Sequence, residues 1–413
     1  MDLEGGRLAM RLPTRLDRYP AKMVSRLAED LVARYADNAT RVLDPFCGSG
    51  AVLMAAARAG IPVTGIDINP MGVLLSRTKL NGFEPSVATE LVEEIIDRAK
   101  STRNPSTIEW DARDYWFTPK TLEKFERLRA GIAETRVRTN DKEWTAILLS
   151  LALSVRLCSR ADQRSPKPFI SATARANRSA RHFDPYYFLR SIIEDLSVLY
   201  GRNSPLVKSN IVMANVVQEK QLKARIGSHS HVITSPPYIN AQDYFRNFKL
   251  ELHVLDSLLP FETSMIKENF VGTDRGNLTR GVSEDEIVEF RSLVRGMRGL
   301  EKRSPRLGEV VYRYLHDMGT VFGRIDQWLK PKGRLVLVCG DNLVGGMRIP
   351  TWQVLQKMLE ARGFAVVDTF RDQIRDRMLA PKRSGHKGLI KEEVICCYER
   401  SWPVIRSSDS ETS

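Results

Sequence analysis

The chain has 413 residues, 42% of them apolar, which is enough for a full α/β core together with an insertion or a second domain. No apolar run approaches the ~18 residues of a membrane-spanning helix and Met1 to Arg15 holds no signal-peptide core, so a cytoplasmic protein is expected. A net charge of +13 and a pI near 9.6 suit a polyanionic partner, because lysines and arginines that neutralise phosphates release counterions; charge alone does not separate this from a merely basic surface.

Taken in chain order, Tyr19 to Tyr35 reads as an amphipathic helix with Met23, Leu27, Leu31 and Val32 on one face. Arg41-Val-Leu-Asp44 is a short buried strand, followed by the turn Pro45-Phe-Cys-Gly-Ser-Gly50 and an alanine-rich helix, Ala51 to Ala59. Val63-Thr-Gly-Ile-Asp67 is a second apolar strand ending in an acid, and Asn69-Pro70 opens another helix. From about residue 81 to 205 the texture is helical (Thr89 to Lys100, Pro119 to Glu134, Glu143 to Leu157). Strand signals return at Ser209 to Val217 and at His231 to Thr234, which leads into Ser235-Pro-Pro-Tyr238. A mostly helical excursion runs to Leu329, and Pro331-Lys-Gly333 turns into the strongly apolar strand Arg334 to Cys339. The helix Thr351 to Ala361, then strands Phe364 to Phe370 and Glu393 to Tyr398, complete the pattern; 401–413 reads as a flexible tail. The five cysteines, Cys47, Cys158, Cys339, Cys396 and Cys397, have no zinc-ligand spacing and read as reduced core thiols; no metal site is expected.

Two motifs carry chemistry. In Asp44-Pro-Phe-Cys-Gly-Ser-Gly50, glycines let the backbone turn tightly and approach a ligand, and the next helix offers free N–H groups. Asp67 ends the following strand, where a carboxylate can accept the hydroxyls of a ribose. The glycine spacing departs from the GxGxxG of nicotinamide enzymes. The second motif is Thr234-Ser-Pro-Pro-Tyr238, directly after a strand. Its Ser-Pro-Pro-Tyr tetrapeptide resembles the catalytic motif of amino-methyltransferases, whose nucleophile is an exocyclic amine, a poor one because its lone pair is delocalised into the ring. Acceptors for its N–H groups favour a more nucleophilic nitrogen, and Ser235 Oγ and a proline-motif carbonyl, that of Pro236, can be those acceptors. Pro236 and Pro237 fix φ and offer no competing N–H. Tyr238 supplies a flat face for an extruded base.

On these residues the chain resembles the S-adenosylmethionine-dependent amino-methyltransferases of DNA, the family that modifies cytosine N4 or adenine N6. Tyr19-Pro-Ala-Lys22 is similar to the His-Pro-x-Lys segment that flanks the cofactor there, with Tyr19 in place of histidine. The resemblance implies a class I Rossmann-like fold with a seven-stranded, mostly parallel sheet. It implies a discontinuous catalytic core, 1–80 and 206–400, interrupted by a helical target-recognition region, 81–205. It places S-adenosylmethionine against Lys22, Asp44, Phe46, Gly48, Gly50, Asp67 and Asn215, with Asp111 a rival to Asn215 for the adenine-side position. Catalysis would fall to Ser235, Pro236, Pro237 and Tyr238. Serine at the head of the tetrapeptide resembles the cytosine-N4 enzymes most, although their motif order is commonly the reverse of this one.

The expected substrate is double-stranded DNA, with a restriction endonuclease as cellular counterpart. The basic stretch Arg156, Arg160, Arg164, Lys167, Arg175, Arg178 and Arg181 would grip phosphates, with Arg275, Arg280 and Arg295 as the alternative surface. Adenine-N6 methylation of DNA, guanine-N2 methylation of RNA and a catalytically silent nucleic-acid-binding subunit are the competing readings.

Overall fold

The computed structural model describes residues 19, 23–163, 165, 167–176, 184–202, 204–239, 244–261, 263–373 and 392–400. Lys22, Arg164, Arg178, Arg181, Asn240 and the tail 401–413 lie outside them.

Seven strands form one sheet: β1 (Val42–Asp44), β2 (Val63–Asp67), β3 (Ser209–Met213), β4 (His229–Thr234), β5 (Leu329–Cys339) and, after the small hairpin β6 (Asn342–Val344) and β7 (Met347–Ile349), β8 (Phe364–Gln373) and β9 (Glu392–Arg400). The order is β3-β2-β1-β4-β5-β9-β8. β9 runs against both its neighbours, and the other six strands are mutually parallel. This is the α/β sheet the sequence resemblance implied. The seven anticipated strands are present, while β6–β7, closed by Gly345-Gly346, was not anticipated.

Side chains alternate across a strand, so each apolar run feeds two cores. Leu335, Leu337 and Cys339 pack on one face of the sheet; Val336 and Val338 pack on the other. Cys396 and Cys397 are divided the same way. All five cysteines are buried and unbridged, as their apolar settings suggested. One face is covered by α1 (Ser25–Tyr35) and α2 (Ala51–Arg58). The first helix starts at Ser25 rather than Tyr19, and the Tyr19 ring is turned into the protein interior instead. Next comes α3 (Pro70–Asn81), capped by Asn69, whose side chain accepts from the Met71 N–H, with Pro70 in the first turn where a missing donor costs nothing.

Four long helices occupy the insertion: α4 (Pro85–Ser101), α5 (Pro119–Thr135), α6 (Asp141–Cys158) and α7 (Pro185–Tyr200). Thr118, Asn140 and Asp184 cap the last three through their side chains. The hydrophobic core of this bundle runs past both expected boundaries. It takes in Met71, Leu74 and Leu75 of α3 and Phe248, Leu252 and Leu255 of α8 (Tyr244–Leu255), the helix nearest after the Ser-Pro-Pro-Tyr segment. Arg129 of α5 reinforces the joint. It donates to the carbonyls of Ser106, Thr107 and Asp256 and to Ser257 Oγ. The second face of the sheet is covered by α9 (Pro305–Trp328) and α10 (Thr351–Glu360). Among the described residues no helix is long and apolar enough to cross a membrane.

Candidate active site

The strand order reverses between β1 and β4: from β1 the chain moves outward through β2 and β3, and β4 returns to the other side of β1. Loops leaving the carboxyl ends of two such strands diverge and leave a crevice. The Asp44–Gly50 turn leaves β1, and Ser235-Pro-Pro-Tyr238 leaves β4. Both open onto one cleft, lined also by Tyr19, Asp67, Ile68, Asn215, Val216 and Phe270.

The glycine turn is held from beneath by α3. Ser76 Oγ donates to the Gly48 carbonyl at 2.9 Å and Lys79 Nζ to the Ser49 carbonyl at 2.9 Å. Gly50 has φ +82°, and a Cβ there would stand 2.7 Å from Ser76 Oγ, so both the conformation and the space call for glycine. Asp67 Oδ2 accepts from the Gly48 N–H and Oδ1 from the Asn69 N–H, each at 2.7 Å. Burial pushes the Asp67 carboxyl up to about 6, against the lowering effect of those N–H groups. Each carboxylate oxygen keeps lone-pair capacity toward the cleft. Tyr19 packs beneath Gly48, and its hydroxyl accepts from Asn69 Nδ2 at 3.3 Å.

Asp44 binds the two loops together. Its Oδ1 accepts from the Thr234 hydroxyl at 2.6 Å and from the Phe46 N–H at 3.0 Å. Burial raises the Asp44 carboxyl to about 7, the Thr234 and Phe46 donors lower it, and nearby Asp67 raises it further. Asp44 therefore serves the turn from below. Thr234, directly before the Ser-Pro-Pro-Tyr segment, had no expected role of its own, and this contact gives it one. Cys47 is buried, and burial drives its thiol well up, away from the thiolate a nucleophile needs.

Asn215 lines the cleft just past β3, and its side chain accepts from the N–H groups of Val217 and Gln218. Its Nδ2 donates to the Asn269 carbonyl at 3.4 Å, which brings Asn269, Phe270 and Val271 over the cleft as a wall that no sequence motif announced. Asp111 sits exposed in the helical insertion, outside the cleft lining.

The Ser-Pro-Pro-Tyr segment is pinned at both ends. Beyond the Thr234 contact, the Tyr238 hydroxyl donates to Glu393 Oε1 on β9. Asn342 Nδ2 donates to the Ile239 carbonyl at 3.4 Å. Ser235 and Pro237 line the cleft and Pro236 is buried beside them.

The expected phosphate surface divides. Arg156 is buried, and its guanidinium donates to the carbonyls of Asp162 and Ser165, closing the loop after α6. Arg160 donates to the carbonyls of Asp114 and Tyr115. Carbonyls in an irregular loop need donors, and these arginines supply them. Both therefore have a structural task that the basic sequence pattern concealed. Lys167 and Arg175 are exposed.

Residues 5–76 match the profile of a DNA methylase family. Among curated proteins, the chain is similar to the Type II methyltransferase M.MvaI of Kocuria varians, 21% identical with 91% of this chain and 88% of that protein covered. It is 22% identical to the Type II methyltransferase M.AvaI of Nostoc sp., covering 82% of this chain and 76% of the relative. Among solved structures, TrmN from Thermus thermophilus aligns with a TM-score of 0.34 at 11% identity, covering 95% of this chain and 53% of that one; the strand order, not that likeness, carries the fold. The family match and the curated relatives support an amino-methyltransferase of DNA with S-adenosylmethionine as methyl donor, and leave cytosine N4 and adenine N6 undivided.

Proposed function

We propose that this chain methylates the exocyclic N4 of cytosine in double-stranded DNA, acting directly on a flipped base, as the modification partner of a restriction endonuclease in the cytoplasm. The observation that carries the reading is the opening of the glycine turn and the Ser-Pro-Pro-Tyr segment onto one cleft at the sheet's switch point. S-adenosylmethionine, when bound, supplies an activated methyl group. Asp67 would hold its ribose, with Phe46, Gly48 and Asn215 lining the rest of the pocket, Gly50 shaping the turn behind them, Asp44 bracing it, and Lys22 near the cofactor by family resemblance. The cleft's mixture of an acid, exposed glycine backbone and apolar walls suits such a ligand.

At the reacting base, Ser235 Oγ and the Pro236 carbonyl would accept hydrogen bonds from the amino group, and Tyr238 would stack on the ring. Positioning and aimed acceptors would do most of the work, since a neutral serine cannot act as a strong base. Serine in place of an acid, together with the relatives' naming as Type II methyltransferases, supports the cytosine and DNA assignments. The helical insertion would read the flanking sequence, with Lys167 and Arg175 toward the phosphates.

The test is product analysis. Unmethylated plasmid DNA is incubated with enzyme and methyl-labelled S-adenosylmethionine, digested to nucleosides and resolved; the label is expected in N4-methylcytosine. Label in N6-methyladenine would overturn the base assignment, and labelling of RNA alone would overturn the substrate.

A further inference from the structure

Tyr238 is fixed more tightly than a stacking platform in a loop needs to be. Its hydroxyl donates to Glu393 Oε1, which stands at the start of β9, two strands across the sheet from β4. Because β9 runs antiparallel, its first residues lie at the carboxyl ends of the parallel strands, on the same edge as the cleft. The backbone of Tyr238 is hemmed in too. A Cβ on Gly272, at φ +80°, would come 2.6 Å from the Tyr238 carbonyl oxygen, so that loop packs directly on the tyrosine. The next carbonyl, that of Ile239, accepts from Asn342 Nδ2, and Asn342 Oδ1 in turn accepts from the buried Thr351 hydroxyl at 2.8 Å.

A tyrosine ring with no partner at its hydroxyl can swing about Cα–Cβ and turn about Cβ–Cγ, and a base laid on it would have no fixed plane. An acceptor for the hydroxyl removes part of that freedom before substrate arrives, so less ordering remains to be done on binding. We propose that Glu393 is a positioning residue for the target base. Its carboxylate anchors the far end of the Tyr238 ring against swinging about χ1 and, because a phenolic O–H prefers the ring plane, biases that plane too, and thereby the orientation of the amine toward Ser235. This rests on the proposed methyltransferase reading.

The test uses full-length protein with three variants, Tyr238→Phe, Glu393→Ala and Glu393→Gln, plus the Tyr238→Phe/Glu393→Ala double variant. Turnover on unmethylated plasmid DNA and S-adenosylmethionine affinity by calorimetry are measured for each. Tyr238→Phe keeps the ring and removes the hydroxyl that meets Glu393, so it tests the idea even if Glu393→Ala fails to fold. Loss of a hydrogen bond to a charged group predicts that kcat falls roughly 10-fold or more in Tyr238→Phe and in Glu393→Ala. Cofactor affinity and the KM for DNA should stay within about 2-fold, because phosphate contacts dominate DNA affinity. The double variant should be no worse than either single one, and Glu393→Gln, whose amide oxygen still accepts, should recover most of the rate. Wild-type rates in Tyr238→Phe, or additive losses in the double variant, would overturn the inference while leaving the methyltransferase reading intact. A wild-type protein that transfers no methyl to any DNA would overturn that reading, and this inference with it.

Discussion

Asp67 and Asp44 are both carboxylates at the ends of neighbouring strands, yet their surroundings assign them different work. Asp44 is buried against Thr234 and Phe46, and burial raises its affinity for a proton. Thr234 matters because it supplies the hydrogen bond that lets this carboxyl stay inside, and in doing so it ties the glycine turn to the strand end that precedes Ser235. Asp67 is half-buried at the cleft, with one N–H on each oxygen. Replacing it with alanine removes the bracing of Gly48 and, on the proposed reading, the acceptor for the ribose. Asp67→Ala should therefore weaken S-adenosylmethionine binding by about 1.5–3 kcal/mol, the scale of a charge-assisted hydrogen bond. Calorimetry on a variant that still unfolds cooperatively checks this, and unchanged affinity would remove Asp67 from the cofactor site.

At the scale of elements, what was legible in the sequence is what local chemistry specifies. Buried parallel strands read as continuous apolar runs, and proline with a capping residue marks helix starts; hence β1, β2, α3 and α5 fall within a few residues of their expected limits. The β6–β7 hairpin had a signal that went unread, the Gly345-Gly346 pair between two short apolar segments. The insertion was legible as helices but not as a packed body, because its core is completed by α3 and α8 from far away in sequence. The same long-range packing decided the basic stretch: a one-dimensional run of charge could not reveal that Arg156 turns inward to loop carbonyls. If the insertion faces DNA, the exposed Lys167 and Arg175 are the cations to test. Replacing both with alanine should weaken DNA binding and make the log–log salt slope shallower by about one to two units. A slope equal to that of the wild type, measured by titration over a range of salt, would direct the search to Arg280 and Arg295, which are also exposed.

Across the whole molecule, the sheet keeps its chemistry at the carboxyl edge and an unexpected group of buried histidines at the other. His229 opens β4 and His231 lies two residues on, both buried, at the end of that strand remote from Ser235. No motif foretold this, since a lone histidine in an apolar run looks the same whether it faces water or the core. Burial, then the nearby cations Arg41 and Lys330, lower His229 to about 4; burial, then Arg334, lower His231, with Asp37 opposing. His253, stacked on Trp110 in the joint between α8 and the insertion, is lowered by burial to about 4 as well. In the unfolded chain histidines take up protons near pH 6.5, while in the folded protein His229 and His253 resist until near 4 and His231 is shifted in the same direction. The unfolded state therefore binds more protons in that window, so this contribution is fully present above about pH 6.5 and falls away as pH drops toward 4. Asp44 and Asp67 act in the opposite sense, because their folded values near 7 and 6 lie above the ordinary carboxylate range: protonation relieves a buried charge, and their contribution declines as pH rises through the window from about 4 to 7. The two effects overlap, so the wild-type curve alone does not apportion them. His229→Leu separates them, since it removes one titrating ring remote from the cleft and keeps an apolar side chain of similar bulk. Urea unfolding at a series of pH values between about 7 and 4.5 should give a wild-type stability that falls more steeply toward acid than that of the variant. Methyl-transfer turnover at neutral pH should be nearly unchanged, because His229 lies away from both loops. Parallel stability curves for the two proteins would mean that His229 is protonated as readily in the folded chain as in the unfolded one.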